Sequence, residues 1–178
     1  MTLLSQCDAP EGLWSYGGNC GLLAAWVAIK HYHRRTCSYR LTRMCGYTKR
    51  HGVFTIGLAV ALREHGLDVQ FHSDPDPDMK PIEGRFYSKA RGLKIPILPA
   101  VSLGTLLQHI EGGHLPIVFF DTPEGDGHFS PLVGQKRGAL LLPHVESGRM
   151  SRRTFLRRWS APAILRQCVV VTGRTAAT

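Results

Sequence analysis

Cys20 stands between Gly17-Gly18-Asn19 and Gly21, directly ahead of an unbroken apolar run over 22–29. A run of that length and composition predicts a buried helix over 20–33, with Cys20 in its first turn. Unpaired N–H groups and the positive end of the helix dipole would then face the sulfur, favouring the nucleophilic thiolate. Gly18 and Gly21 let a substrate backbone approach without meeting a Cβ, which makes Gly18 and Asn19 candidate substrate contacts. The second chemical group is His128, which follows a Gly-rich loop ending at Gly127 and opens a strand-like stretch over 129–134. Imidazole is the general base a thiol nucleophile requires. A lone cysteine at the edge of an apolar helix is more often plain packing; the pairing with His128 is what points to catalysis.

Composition bounds the remaining possibilities. The chain has 178 residues, 43% of them hydrophobic, which suits one domain over 1–178 with a real core. Lys and Arg number 22 against 13 Asp and Glu, a net charge of +9 that suits an acidic partner. Met1-Thr2-Leu3-Leu4 runs straight into polar Ser5-Gln6, so no signal peptide is expected. No apolar run is long enough to span a bilayer. The expectation is a soluble protein, cytoplasmic or delivered into a target cell's cytoplasm. Five cysteines without a C-x-x-C pair argue against a zinc ribbon, a thioredoxin motif and a disulfide framework. No metal or cofactor is expected, since phosphate-loop and zincin motifs are missing. The arginines of 149–158 lack an interleaved aromatic platform, which argues against nucleic acid.

The elements that must position Cys20 and His128 can be read in order. Residues 1–19 form an irregular lead-in, in which Gln6 is an amide donor and Trp14 and Tyr16 could wall a substrate groove. Helices are expected over 38–44 and 56–65, the latter capped by Thr55. Alternation of Leu67, Val69 and Phe71 with polar neighbours predicts a strand. Over 84–101 the pattern supports a short helix and then an extended segment. Ser102 caps a helix whose Leu103, Leu106, Leu107 and Ile110 share one face. Strands follow over 115–120, 129–134 and 139–142. Ser151 caps a helix with Phe155, Leu156 and Trp159 inward and its arginines outward. A final strand over 164–172 precedes a frayed tail at 173–178. Helices first and antiparallel strands afterwards define an α+β domain, N-terminal helices packed on a C-terminal antiparallel sheet.

This layout, a cysteine opening an N-terminal helix and a histidine opening a later strand, resembles the papain-like cysteine peptidases. Asn19-Cys20-Gly21, Gly57-Leu58, Gly66-Leu67-Asp68-Val69, Gly127-His128-Phe129 with Gly134, and Phe155 to Trp159 together are similar to the bacteriocin-processing, double-glycine leader peptidase family. The resemblance covers roughly 5–171. It implies a papain-like fold, cleavage of a protein or peptide after Gly-Gly, Cys20 as nucleophile and His128 as base. It also implies Gln6 as an oxyanion-hole donor beside the Cys20 N–H, worth on the order of 3 kcal/mol. Trp14, Gly18, Asn19 and Gly127 become the candidate substrate-lining residues. Relatives orient the histidine with an aspartate after the next strand; this chain has Pro143-His144 there. His144 could accept the His128 Nδ1–H through its unprotonated ring nitrogen, with Glu146 and Asp121 as alternatives.

Three functions remain open on these residues: a cysteine endopeptidase, a thiol-dependent acyltransferase or amidase on the same fold, and a binding module without turnover. Charge, size and the missing transporter segment also suit a delivered antibacterial protease toxin, restrained by an acidic inhibitor or immunity protein.

Overall fold

The computed structural model describes residues 9–175. The lead-in carries one short helix that the sequence reading lacks, α1 (Glu11–Trp14). Helix α2 (Cys20–His31) is buried from Gly21 to Ile29, as its apolar run requires. It stops at His31 rather than His33 because His33 adopts a left-handed backbone, φ 57°. Next come α3 (Ser38–Met44) and α4 (Thr55–Glu64). Thr55 lies inside α4 and does not cap it; Phe54 holds the cap position.

Strand β1 (Leu67–Ser73) is followed by α5 (Pro81–Gly92) and β2 (Ile97–Pro99). Pro81 pre-sets the first turn of α5. This helix was only partly legible because its buried face, Glu83, Tyr87 and Ala90, includes a carboxylate. Strand β2 pairs parallel to β1, so one pair departs from the expected antiparallel sheet. A strand, crossover helix and second strand favour that arrangement.

Helix α6 (Leu103–Glu111) is capped by Ser102, whose Oγ accepts the Thr105 N–H at 3.1 Å. Then follow β3 (Leu115–Asp121), β4 (Gly127–Pro131), β5 (Gly134–Lys136), β6 (Ala139–Leu141) and β7 (Arg149–Ser151). Helix α7 (Arg152–Trp159) and β8 (Cys168–Arg174) complete the order. Phe155 and Trp159 are buried as expected, whereas Leu156 is 41% exposed. A buried stripe of i and i+4 leaves the intervening position outward.

The main sheet runs β2-β1-β8-β3-β4, and β5-β6-β7 form a separate three-stranded sheet. Central β8 is antiparallel to both neighbours and apolar on both faces. Val169 and Val171 join the core of α2 and α4, while Cys168 and Val170 join that of α6, α7 and the small sheet. Each large side chain so buried contributes roughly 2 kcal/mol. The edge strand is β4, which carries His128, and α2 packs against it.

Candidate active site at the head of helix α2

Gly21 decides how closely α2 approaches β4. A Cβ at this position would stand 2.9 Å from Val53 Cβ and 3.2 Å from the Phe129 ring. The close approach sets the opening of α2, with Cys20, against the edge strand, and the backbone at Phe129, Gly21 and Cys20 favours the anion of that sulfur. Phe119, opposite Phe129 on β3, spends its own N–H on the carbonyl of Gln167, which immediately precedes β8, at 3.1 Å. Phe129 is therefore in a non-hydrogen-bonded pair, and its N–H is turned to the open edge.

His128 immediately precedes that residue. Its ring lies edge-on to Phe120, its cross-strand partner, with centroids 5.5 Å apart. Its Nε2 is 2.8 Å from the main-chain oxygen of His144. A carbonyl can only accept, so Nε2 carries the proton and Nδ1 is left with a lone pair. The carbonyl is positioned in turn by Ser130, wholly buried two residues beyond His128 on the same face of β4. Ser130 Oγ accepts the His144 N–H at 3.2 Å and donates to the Pro131 carbonyl at 2.9 Å. The sequence reading did not include Ser130. Its signal was a polar residue at an inward position of an otherwise apolar strand.

His144 thus meets His128 through its backbone. Its imidazole is 6% exposed, and neither ring nitrogen has a hydrogen-bond partner. The expected ring-to-ring contact through Nδ1 of His128 is replaced by a carbonyl contact through Nε2. Asp121 pairs with Gly127, one position off the Phe120–His128 pair, and so leaves the opposite face of the sheet. Glu146 is exposed. Gln6 lies outside the described residues.

The substrate-lining candidates have structural duties. Gly18 adopts φ +64°, which favours glycine. Asn19 donates its Nδ2 hydrogen to the Leu13 carbonyl at 3.1 Å and makes no side-chain cap. Trp14 is 43% exposed on α1 and donates to the Ala9 carbonyl at 3.3 Å. A Cβ on Gly127 would fall 2.0 Å from the Phe119 ring, which lies across it.

The charge state differs from the sequence expectation. Burial pushes the Cys20 thiol up, outweighing the three N–H groups that favour its anion. Burial likewise pushes His128 down, against the pull of the His144 carbonyl. Both shifts favour the neutral forms of the thiol and the imidazole, against the resting thiolate that the helix position suggests. His144 is pushed down to about 4 by burial and the neighbouring His128; the nearby Phe129 carbonyl offsets this only in part.

A cleft of about 610 Å³ opens beside the site. Val53, which packs on Gly21, and Phe119, which packs on Gly127 and Phe129, both line it. Among the described residues, no three His, Cys, Asp or Glu side chains gather as a metal site would require. No helix there is long and apolar enough to cross a membrane.

Comparison with solved structures decides the fold. The peptidase domain of Streptococcus ComA, a bi-functional ABC transporter involved in quorum sensing, matches with a TM-score of 0.57 at 15% identity. The match covers 85% of this chain and 90% of that one. The chain has a papain-like peptidase fold. Cys20 opens α2 and His128 lies in β4, and these two elements pack together. No family model and no curated protein matches the sequence.

Proposed function

We propose that the chain is a cysteine peptidase with Cys20 as nucleophile and His128 as its base. One observation carries this reading: the opening of α2, where Cys20 stands, packs through Gly21 on Phe129, one residue along the strand from a histidine whose Nε2 is held by the His144 carbonyl. The Nδ1 lone pair of His128 takes the thiol proton as sulfur attacks a peptide carbonyl. The same proton then passes to the leaving amine, and water releases the acyl group from Cys20. The Cys20 N–H, unpaired within the first turn of α2, is the oxyanion donor from this side, with Gln6 the candidate for the other. The substrate is a protein or peptide cut after small residues, Gly-Gly first among them, as the resemblance to double-glycine peptidases suggests. Exposed Arg152, Arg153 and Arg157 on α7 suit an acidic partner such as an immunity protein.

Peptides containing Gly-Gly, incubated with the protein and read by mass spectrometry, test this reading. Free carboxyl termini are expected from the wild type and none from Cys20→Ala or His128→Ala. Adducts instead of free carboxyls would indicate a transferase. A binding module without turnover is the second reading, favoured by the upward shift of Cys20 and by a neutral carbonyl where a carboxylate would stabilise imidazolium. Intact peptides together with a Cys20 that iodoacetamide does not label would establish it. Growth of bacteria expressing the wild type, compared with Cys20→Ala, tests toxicity.

A further inference from the structure

The cleft beside the site reverses the charge of the chain around it. Its walls include Asp76, Asp78 and Glu83 against a single lysine, Lys80, in a protein of net charge +9. Glu83 is only 6% exposed. Among the described residues the ion pairs are Arg63–Asp68, Lys89–Glu64 and Arg166–Asp74, and Glu83 is in none of them. Burial and then the charge of Asp76 push its carboxyl above the usual range, with Lys80 opposing weakly. Thr55 lines the same cleft at 2% exposure, and its Oγ1 has no hydrogen-bond partner. A buried carboxyl outside any ion pair and a buried hydroxyl without a partner both cost free energy. A cationic group rich in N–H donors would satisfy both.

We propose that this cleft is a specificity subsite for a basic side chain of the peptide substrate, arginine above lysine. The proposal rests on the peptidase reading only for calling that peptide a substrate. Guanidinium offers five donors in a planar fork that matches carboxylates. The cleft volume falls within the roughly 300–1,000 Å³ of ligand pockets, room for a long side chain and its backbone. The carboxylates do not gather as a metal site would require among the described residues, which favours an extended organic cation over a bare ion. Val53 and Phe119 join the cleft to the residues flanking Cys20 and His128, so one peptide can occupy both.

The test uses the full chain carrying Cys20→Ala, so that binding is read without turnover. Fluorescein-labelled peptides share one Ala/Leu sequence around Gly-Gly, and a single Arg is moved through the flanking positions, each with a citrulline counterpart. Fluorescence anisotropy should find a position where Arg binds at least about tenfold tighter than citrulline, with the advantage shrinking in high salt. Glu83→Gln and Asp78→Asn should each reduce that advantage, and the double variant should abolish it. Asp78 is exposed, and thermal melts confirm that the variants fold. The proposal is overturned if no Arg position beats citrulline, if the preference survives the double variant, or if calcium ions bind saturably and the double variant loses them. Failure of the peptidase chemistry would leave this preference standing. Conversely, a wild type that cleaves peptides without any basic preference would sink the subsite alone.

Discussion

The Nε2 of His128 stands 2.8 Å from the main-chain oxygen of His144, and that oxygen does what a carboxylate would do for orientation but not for charge. It fixes the tautomer and the ring plane. It adds no negative charge to stabilise imidazolium, and burial already disfavours that cation.

Alkylation of Cys20 reports this directly. A thiolate–imidazolium pair would react with iodoacetamide at a rate nearly flat across neutral and mildly acidic pH. Here burial raises the thiol, so the rate should climb with pH toward a midpoint above the ordinary cysteine value. A flat profile extending below pH 6 would sink the neutral-pair assignment.

Replacing His144 by leucine removes the imidazole and keeps the carbonyl. Turnover in His144→Leu should remain within about threefold of wild type, while a ring-mediated role predicts a large loss. Stability should change in acid. His144 titrates near 4 when folded and near 6.5 when unfolded, so between those values the unfolded chain binds more protons and stability falls as pH falls. The wild type should lose about 2 kcal/mol from this group between pH 7 and pH 4.5, a loss missing from the variant. Urea unfolding at the two pH values measures it. At pH 7 the variant should be no less stable, since both ring nitrogens are buried without partners.

Ser130→Ala leaves the His144 N–H without its acceptor and frees the carbonyl to drift from His128. The expected cost is about 1–3 kcal/mol of stability. Turnover should fall roughly tenfold through kcat with KM little changed, because Ser130 orients the base without touching substrate. A rise in KM with kcat unchanged would remove the positioning role.

Gly21→Ala forces a methyl against Val53 and Phe129 at 2.9 and 3.2 Å. Overpacking of this kind costs about 1–3 kcal/mol, and it should also push Cys20 off the edge of β4. A lowered melting temperature with slower turnover is expected; unchanged values of both would show that α2 has room to shift.

Much of this was legible along the chain. The apolar run behind Cys20 could only be a buried helix, and Ser102 and Ser151 cap their helices as their positions implied. The order of cysteine helix, then histidine strand, pointed to a papain-like fold before any coordinates. Those features are local: periodicity and cap chemistry are written within a dozen residues. The protonation of Cys20 was not local. Helix position favours a thiolate, while desolvation by side chains drawn from separate elements pushes the thiol up. Nor could sequence show that His144 acts through its carbonyl, because every residue carries one and only the path of the 143–145 loop aims it. Residue type determined which groups were available for chemistry; desolvation and backbone direction, which depend on segments far apart in the chain, decided their charge and their partners.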